Sequence, residues 1–226
     1  MGEGRAMREL NLLKNYPQPE ERVIPNRTIE NRILASYRGR DFFDGPRECG
    51  YGGMVYDGRW EAVAADIIAE YNPRRVIQIQ CERGFLLHEL SLKHITCVGI
   101  ESSTSARRTA MRGDMRLDQG NYDLLPGLTG DFFANPFDLA IALGVIYTLP
   151  LDQAMNLIRQ IERMALRAFI TLAAYETEED LRLFRKWTLL GTTILKKEEW
   201  IEVLKHCGFT GDYWFVTAQS LRLREI

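Results

Sequence analysis

The run VIQIQCERGFLLHEL, Val76–Leu90, constrains the fold more than any other stretch of this chain. A short apolar strand enters a tight turn that ends in glycine, and an apolar helix follows at once. A strand that feeds straight into a helix returns to the sheet as a parallel neighbour, which is the βαβ unit. The same alternation continues on both sides. The spacing predicts a helix over Trp60–Tyr71, with Val63, Ile67 and Ile68 on one side, ended by Asn72-Pro73. It then predicts a strand at Arg75–Gln80, a helix at Phe85–Leu92, a strand at Ile95–Ile100, a helix at Ser105–Arg112 and a short third strand at Met115–Asp118. A long apolar strand at Phe137–Leu143 precedes a helix at Leu151–Met164 and a strand at Ala168–Ala173. Helices at Glu178–Trp187, capped by Thr177, and at Glu198–Cys207, ended by Gly208, lead to a last strand at Tyr213–Ala218. Strands apolar on both faces and separated by helices imply a sheet covered on both sides. The fold class is therefore α/β: a Rossmann-like, doubly wound, mostly parallel sheet with helices on both faces and an N-terminal extension. Such sheets bind ligands at the carboxyl ends of their strands.

With 226 residues, 46% of them hydrophobic, the chain can build one sizeable core plus an appendage. The expected division is an N-terminal arm and glycine/aromatic lid over residues 1–58 and the Rossmann-like domain over 59–226. A net charge of -2 offers no basic excess for a nucleic acid. The longest apolar runs, such as Leu139–Val145, are too short to span a bilayer, and Met1–Asn15 lacks the apolar stretch of a secretory signal. Cys49, Cys81, Cys97 and Cys207 form no C-x-x-C pair, and His88, His94 and His206 show no ligand spacing. A reduced, cytoplasmic setting without a metal is the expectation.

Residues 1–28 are polar and broken by Pro17, Pro19 and Pro25, as in a loose lead-in or a packing arm. Thr28 caps a predicted helix to Tyr37, on which Ile29, Ile33 and Leu34 share a face. The segment DFFDGPRECGYGGMVYDGRW, residues 41–60, concentrates glycine and large rings. A plain loop rarely needs so many rings, so this segment is expected to fold over something.

Three places carry the chemistry. The turn Gln80–Gly84 aims backbone N–H groups at a ligand. Glu101, about 20 residues past it, ends the second strand, where a carboxylate accepts from both hydroxyls of a ribose. Phe137–Leu143 and the following Gly144–Pro150 face the reacting group. Taken singly, each has a plain structural reading; their order and spacing together are more specific.

The runs VIQIQCERGFLLHELSLKHITCVGIESSTSA, FDLAIALGVIYTLP and KKEEWIEVLKHCGF resemble the first two motifs, the fourth motif and the late helix of class I S-adenosylmethionine-dependent methyltransferases. The resemblance covers about Arg59 to Phe215, and FFDGPRECGYGGMVYDGRW, with the later W-T and GDYWF elements, is similar to a bacterial small-molecule or sugar methyltransferase subgroup. It implies S-adenosylmethionine as cofactor, with Gln78, Gln80, Cys81 and Gly84 along its methionine part. Glu101 and Ser102 would hold the ribose, and Asn121 and Tyr122 the adenine. Leu143 and Gly144 would line the far side, and Tyr51 and Tyr56 would close the pocket. The implied partner is a small-molecule or sugar substrate, with neither nucleic acid nor membrane; the candidate assemblies are a homodimer and a complex with a paralogue.

The chain departs from the family pattern at three positions. Gln78 replaces an acidic residue and cannot charge-pair with the methionine ammonium. Gln80 replaces a glycine that lets backbone approach the ligand. Glu82 brings negative charge to the methionine carboxylate, unless Arg83 offsets it. These changes weaken the expected affinity, and a catalytically inactive partner or regulatory subunit is the alternative reading. Catalytic candidates are Tyr147 and Tyr175 near the strand ends and Asp44 in the N-terminal segment.

Overall fold

The computed structural model describes residues 6–17, 22–110, 122–125 and 135–225. Its strands are β1 (Arg8–Glu9), β2 (Arg22–Val23), β3 (Arg75–Ile79), β4 (Thr96–Ile100), β5 (Tyr122–Leu125), β6 (Phe137–Ala142), β7 (Ala165–Tyr175), β8 (Leu195–Lys196), β9 (Asp212–Val216) and β10 (Arg224–Glu225). Its helices are α1 (Ile29–Ser36), α2 (Arg40–Asp44), α3 (Glu61–Tyr71), α4 (Phe85–Ser91), α5 (Thr104–Arg108), α6 (Leu151–Met164), α7 (Glu178–Trp187) and α8 (Lys197–Cys207).

The main sheet runs in the order β1-β9-β7-β6-β3-β4-β5, with β8 beside the end of β7, and its described pairings are parallel. From β3 the chain winds outward through β4 and β5, then returns to the other side through β6, β7 and β9. The order reverses between β3 and β6, which opens a crevice at their carboxyl ends.

Side chains of the central strands alternate between two cores, as the two-residue period of a strand requires. Ile77, Ile79, Ala140 and Ile170 pack with Ile158 and Ile161 of α6 and Trp200 of α8. Val76, Leu139, Ile141 and Phe169 pack with Val63 and Ile67 of α3 and Leu86, Leu87 and Leu90 of α4. Trp200 is fully buried, and its Nε1–H donates to the Ala173 carbonyl at 2.8 Å. Helices thus cover both faces, as the doubly wound pattern predicts.

The third strand differs from expectation. It is Tyr122–Leu125, paired with Cys97–Ile100, whereas Met115–Asp118 lies outside the described residues. Four residues between Asn121 and Pro126 are too few to show a period, so Tyr122 begins this strand rather than following it. The N-terminal arm is tied into the sheet: β1 lies parallel to β9, and Arg8 reaches Asp212 at 2.9 Å and Glu70 at 2.6 Å. Thr28 caps helix α1 as expected, and Asn31 closes a capping box with it. Its apolar side chains do not form its buried face: Ile29, Ile33 and Leu34 are exposed, and Ala35 packs with Phe42, Phe43 and Ala106. No described helix is long and apolar enough to cross a membrane.

Candidate functional site

The turn from β3 into α4 takes left-handed backbone at alternate residues: φ is 55° at Gln80, 54° at Glu82 and 72° at Gly84. Gly84 adopts this freely and caps α4. At each of the other two it costs about 1–2 kcal/mol, so surrounding contacts must hold the loop in place.

Glu101 supplies those contacts. It follows β4 and is completely buried. One carboxylate oxygen accepts from the Glu82 backbone N–H at 2.7 Å. The other accepts from the Ser103 N–H and from the Gln80 side-chain amide, each at 2.7 Å. The same amide donates to the Ser102 hydroxyl at 3.2 Å. A side chain expected to face a ribose is therefore bonded to the chain itself, and Gln80 occupies its outer flank.

The glycine/aromatic segment folds over this loop. Arg83 is buried; it donates to Asp44 at 2.6 Å and to the Met54 carbonyl, and its guanidinium lies 5.6 Å from the centre of the Phe43 ring. Tyr51 donates to Glu82 at 2.5 Å. Gly50 permits the fold-back, since a Cβ there would stand 2.0 Å from the Phe42 carbonyl oxygen. Burial raises the Glu82 carboxyl above the usual carboxylate range, against the opposing pull of Arg38 at 3.5 Å.

Across the crevice, Gly144 follows β6 with φ of 65°, and its N–H donates to Thr171 Oγ1 at 2.8 Å. A single 3-10 turn, Ile146–Thr148, then carries Tyr147, whose ring meets Phe184 edge-on at 5.9 Å. Burial pushes the Tyr147 phenol up, so it stays neutral and is a poor base. A cavity of about 90 Å³ lies between these groups, with Glu82, Gly144 and Tyr147 along its sheet side and Arg38, Tyr51 and Trp187 among the residues closing it.

The structure brings Gln80, Glu101 and Ser102 together and places Tyr51, Gly144 and Tyr147 on the cavity wall. Gln78 is buried in β3, and its carbonyl oxygen has no hydrogen-bond partner. Cys81 is buried, and burial raises its thiol, which leaves it unreactive. Leu143 packs at the margin of the α3–α4 core. Asn121 lies outside the described residues. Tyr56 turns from the cavity to α4, where it donates to Glu89 and meets Phe85 and His88 edge-on. Tyr175 ends β7 beside Lys196 and is not part of the cavity wall. Asp44 is engaged by Arg83. Arg27, Arg38 and Arg47 also line the cavity and were not anticipated. They are about ten residues apart, with no period, and only the folded segment gathers them.

This arrangement defines a Rossmann-like fold of the methyltransferase type, with its crevice at the β3/β6 switch point. No protein-family model matches the chain, and no curated protein matches its sequence. Solved structures match its fold. Magnesium protoporphyrin IX methyltransferase from Synechocystis PCC 6803, with bound SAH, is 20% identical with a TM-score of 0.57, covering 78% of this chain and 88% of that one. The same enzyme with bound SAM aligns at 19% identity and a TM-score of 0.54, over 81% and 88% of the two chains. The methyltransferase domain of a bacterial Hen1 protein gives 18% identity and a TM-score of 0.50, over 66% and 84%.

Proposed function

We propose that the chain is an S-adenosylmethionine-dependent methyltransferase acting on a small-molecule or sugar acceptor. The observation that carries this reading is Glu101, a wholly buried carboxylate at the end of β4, beside the strained turn at the switch point. The residues present fit the cofactor on one condition. Glu101 offers the acceptor oxygens a ribose needs, and the partnerless Gln78 oxygen offers one to an ammonium. Gln80 must first turn its amide away from Glu101.

The bound cofactor supplies an electrophilic methyl group. The protein's work is then mainly alignment, holding donor and acceptor in line. Glu82 lines the cavity with a carboxyl raised by burial and is the group best placed to take a proton from an acceptor hydroxyl. Tyr51 and Arg38 position it.

Calorimetric titration with S-adenosylmethionine and S-adenosylhomocysteine tests the reading. Saturable one-site binding is expected. No heat at millimolar ligand would overturn it and leave the catalytically inactive partner subunit as the surviving account.

A further inference from the structure

We propose that the cavity beside the β3–α4 turn is the acceptor subsite and takes a molecule with a carboxylate or phosphate group on a planar, apolar body. Its naming as an acceptor subsite rests on the methyl-transfer reading; its binding chemistry does not.

The charge balance is the first argument. Three guanidinium groups, Arg27, Arg38 and Arg47, line the cavity with a single carboxylate, Glu82. Arg38 Nη2 stands 3.5 Å from Glu82 and 4.0 Å from Glu101, and its Nε is buried without a hydrogen bond. Among the described residues, Arg27 donates to the neutral carbonyls of Trp187 and Arg47, and its Nε is buried and unbonded. Burial and the nearby Arg47 and Arg32 charges pull the Arg27 pKa down to about 10, with Glu48 opposing; this is the mark of a cation short of counter-charge. Buried donors left unbonded are costly, the more so when charged. A carboxylate or phosphate suits such a wall, because its oxygens match the guanidinium fork.

Size and walls supply the second argument. The cavity, about 90 Å³, has room for an anionic head group of carboxylate or phosphate size. It opens at the carboxyl ends of the central strands, with Glu82 of the β3–α4 turn and Gly144 after β6 on its wall. The rings of Tyr51, Tyr147 and Trp187 flank it, and Arg38 is fixed over Phe42 at 5.1 Å. Flat aromatic walls favour a flat body behind the anion.

The test uses the full chain without cofactor and three probes: benzoate, phenyl phosphate and the neutral benzamide. Amide chemical shifts and calorimetry are the readouts. At least one anion is expected to shift the Tyr51, Gly144 and Tyr147 amides and to bind at least about tenfold tighter than benzamide. The tighter of the two anions identifies the head group. Arg38→Gln is expected to remove the preference for anions, and Arg38→Lys to keep part of it. Equal binding of benzamide, shifts confined to residues outside this cavity, or an Arg38→Gln protein with unchanged preference would each overturn the subsite. If Arg38→Gln fails to fold, the three-probe comparison on the unaltered chain decides. Anion binding by a protein that binds no S-adenosylmethionine would uphold the subsite and sink the transfer reading; the reverse result would sink the subsite alone.

Discussion

Replacing Gln80 by glycine should weaken the fold and strengthen cofactor binding at the same time. Three effects set the stability change. Glycine relieves left-handed backbone strain of about 1–2 kcal/mol at φ of 55°. It loses about 0.5–1 kcal/mol through the greater freedom of the unfolded chain. It also removes the 2.7 Å bond from the Gln80 amide to the Glu101 carboxylate, a hydrogen bond to a charged group and so about 1.5–3 kcal/mol. The balance is a loss of roughly 1–2 kcal/mol, read as a lower urea midpoint with an unchanged slope. Binding moves the other way. The cofactor no longer has to break that bond to reach Glu101, so affinity for S-adenosylhomocysteine should rise roughly ten- to hundredfold by calorimetry. A variant with unchanged affinity would refute the claim that Gln80 competes with the ribose. A gain in both stability and affinity would show that backbone strain, not the amide bond, dominates this position.

Four further outcomes follow from the same structure. Glu82→Gln should lower methyl transfer at least about tenfold if Glu82 takes the acceptor's proton, while raising the melting temperature at neutral pH. The folded-state carboxyl is raised, so its stabilising contribution is full below the unfolded pKa and lost as pH rises through the folded one; the gain in Glu82→Gln should therefore shrink in acid, and a constant gain from pH 4 to 7 would count against it. Asp44→Ala strips Arg83 of its carboxylate partner and should speed hydrogen exchange at the Tyr51, Gly53 and Met54 amides, which bond back to Phe42 and Phe43; unchanged exchange would mean that the segment is held elsewhere. Phe169→Ala empties a fully buried site on a central strand and should cost about 3–5 kcal/mol in chemical denaturation. Thr177→Ala removes the capping box of α7 and should cost about 1 kcal/mol, with Thr177→Ser nearly neutral.

The fold was legible where the pattern is local. Val76–Leu90 announces strand, turn and helix within fifteen residues, and the apolar stripe of Leu151–Met164 marks that helix at both ends. Partnerships across long separations left no such trace. Two-residue β1 exists because β9, some two hundred positions away, offers it an edge. Tyr122–Leu125 is strand because β4 pairs with it, not because four residues show a period. The site divides in the same way. Glu101 and Gly144 stand out because strand ends next to turns are visible in sequence. Arg27, Arg38 and Arg47 do not, because the 41–60 segment must fold before they meet. The substitution of Gln80 was visible, but its consequence was not: the side chain bonds to Glu101 only because positive φ turns it toward β4.

The most direct test of the central claim is a crystal of the chain soaked with S-adenosylhomocysteine. The nucleoside is expected at the carboxyl ends of β3 and β4, its ribose hydroxyls on the Glu101 carboxylate and the Gln80 amide turned away. A crystal saturated at millimolar ligand that still shows Gln80 bonded to Glu101, with no nucleoside beside residues 80–84, would contradict it.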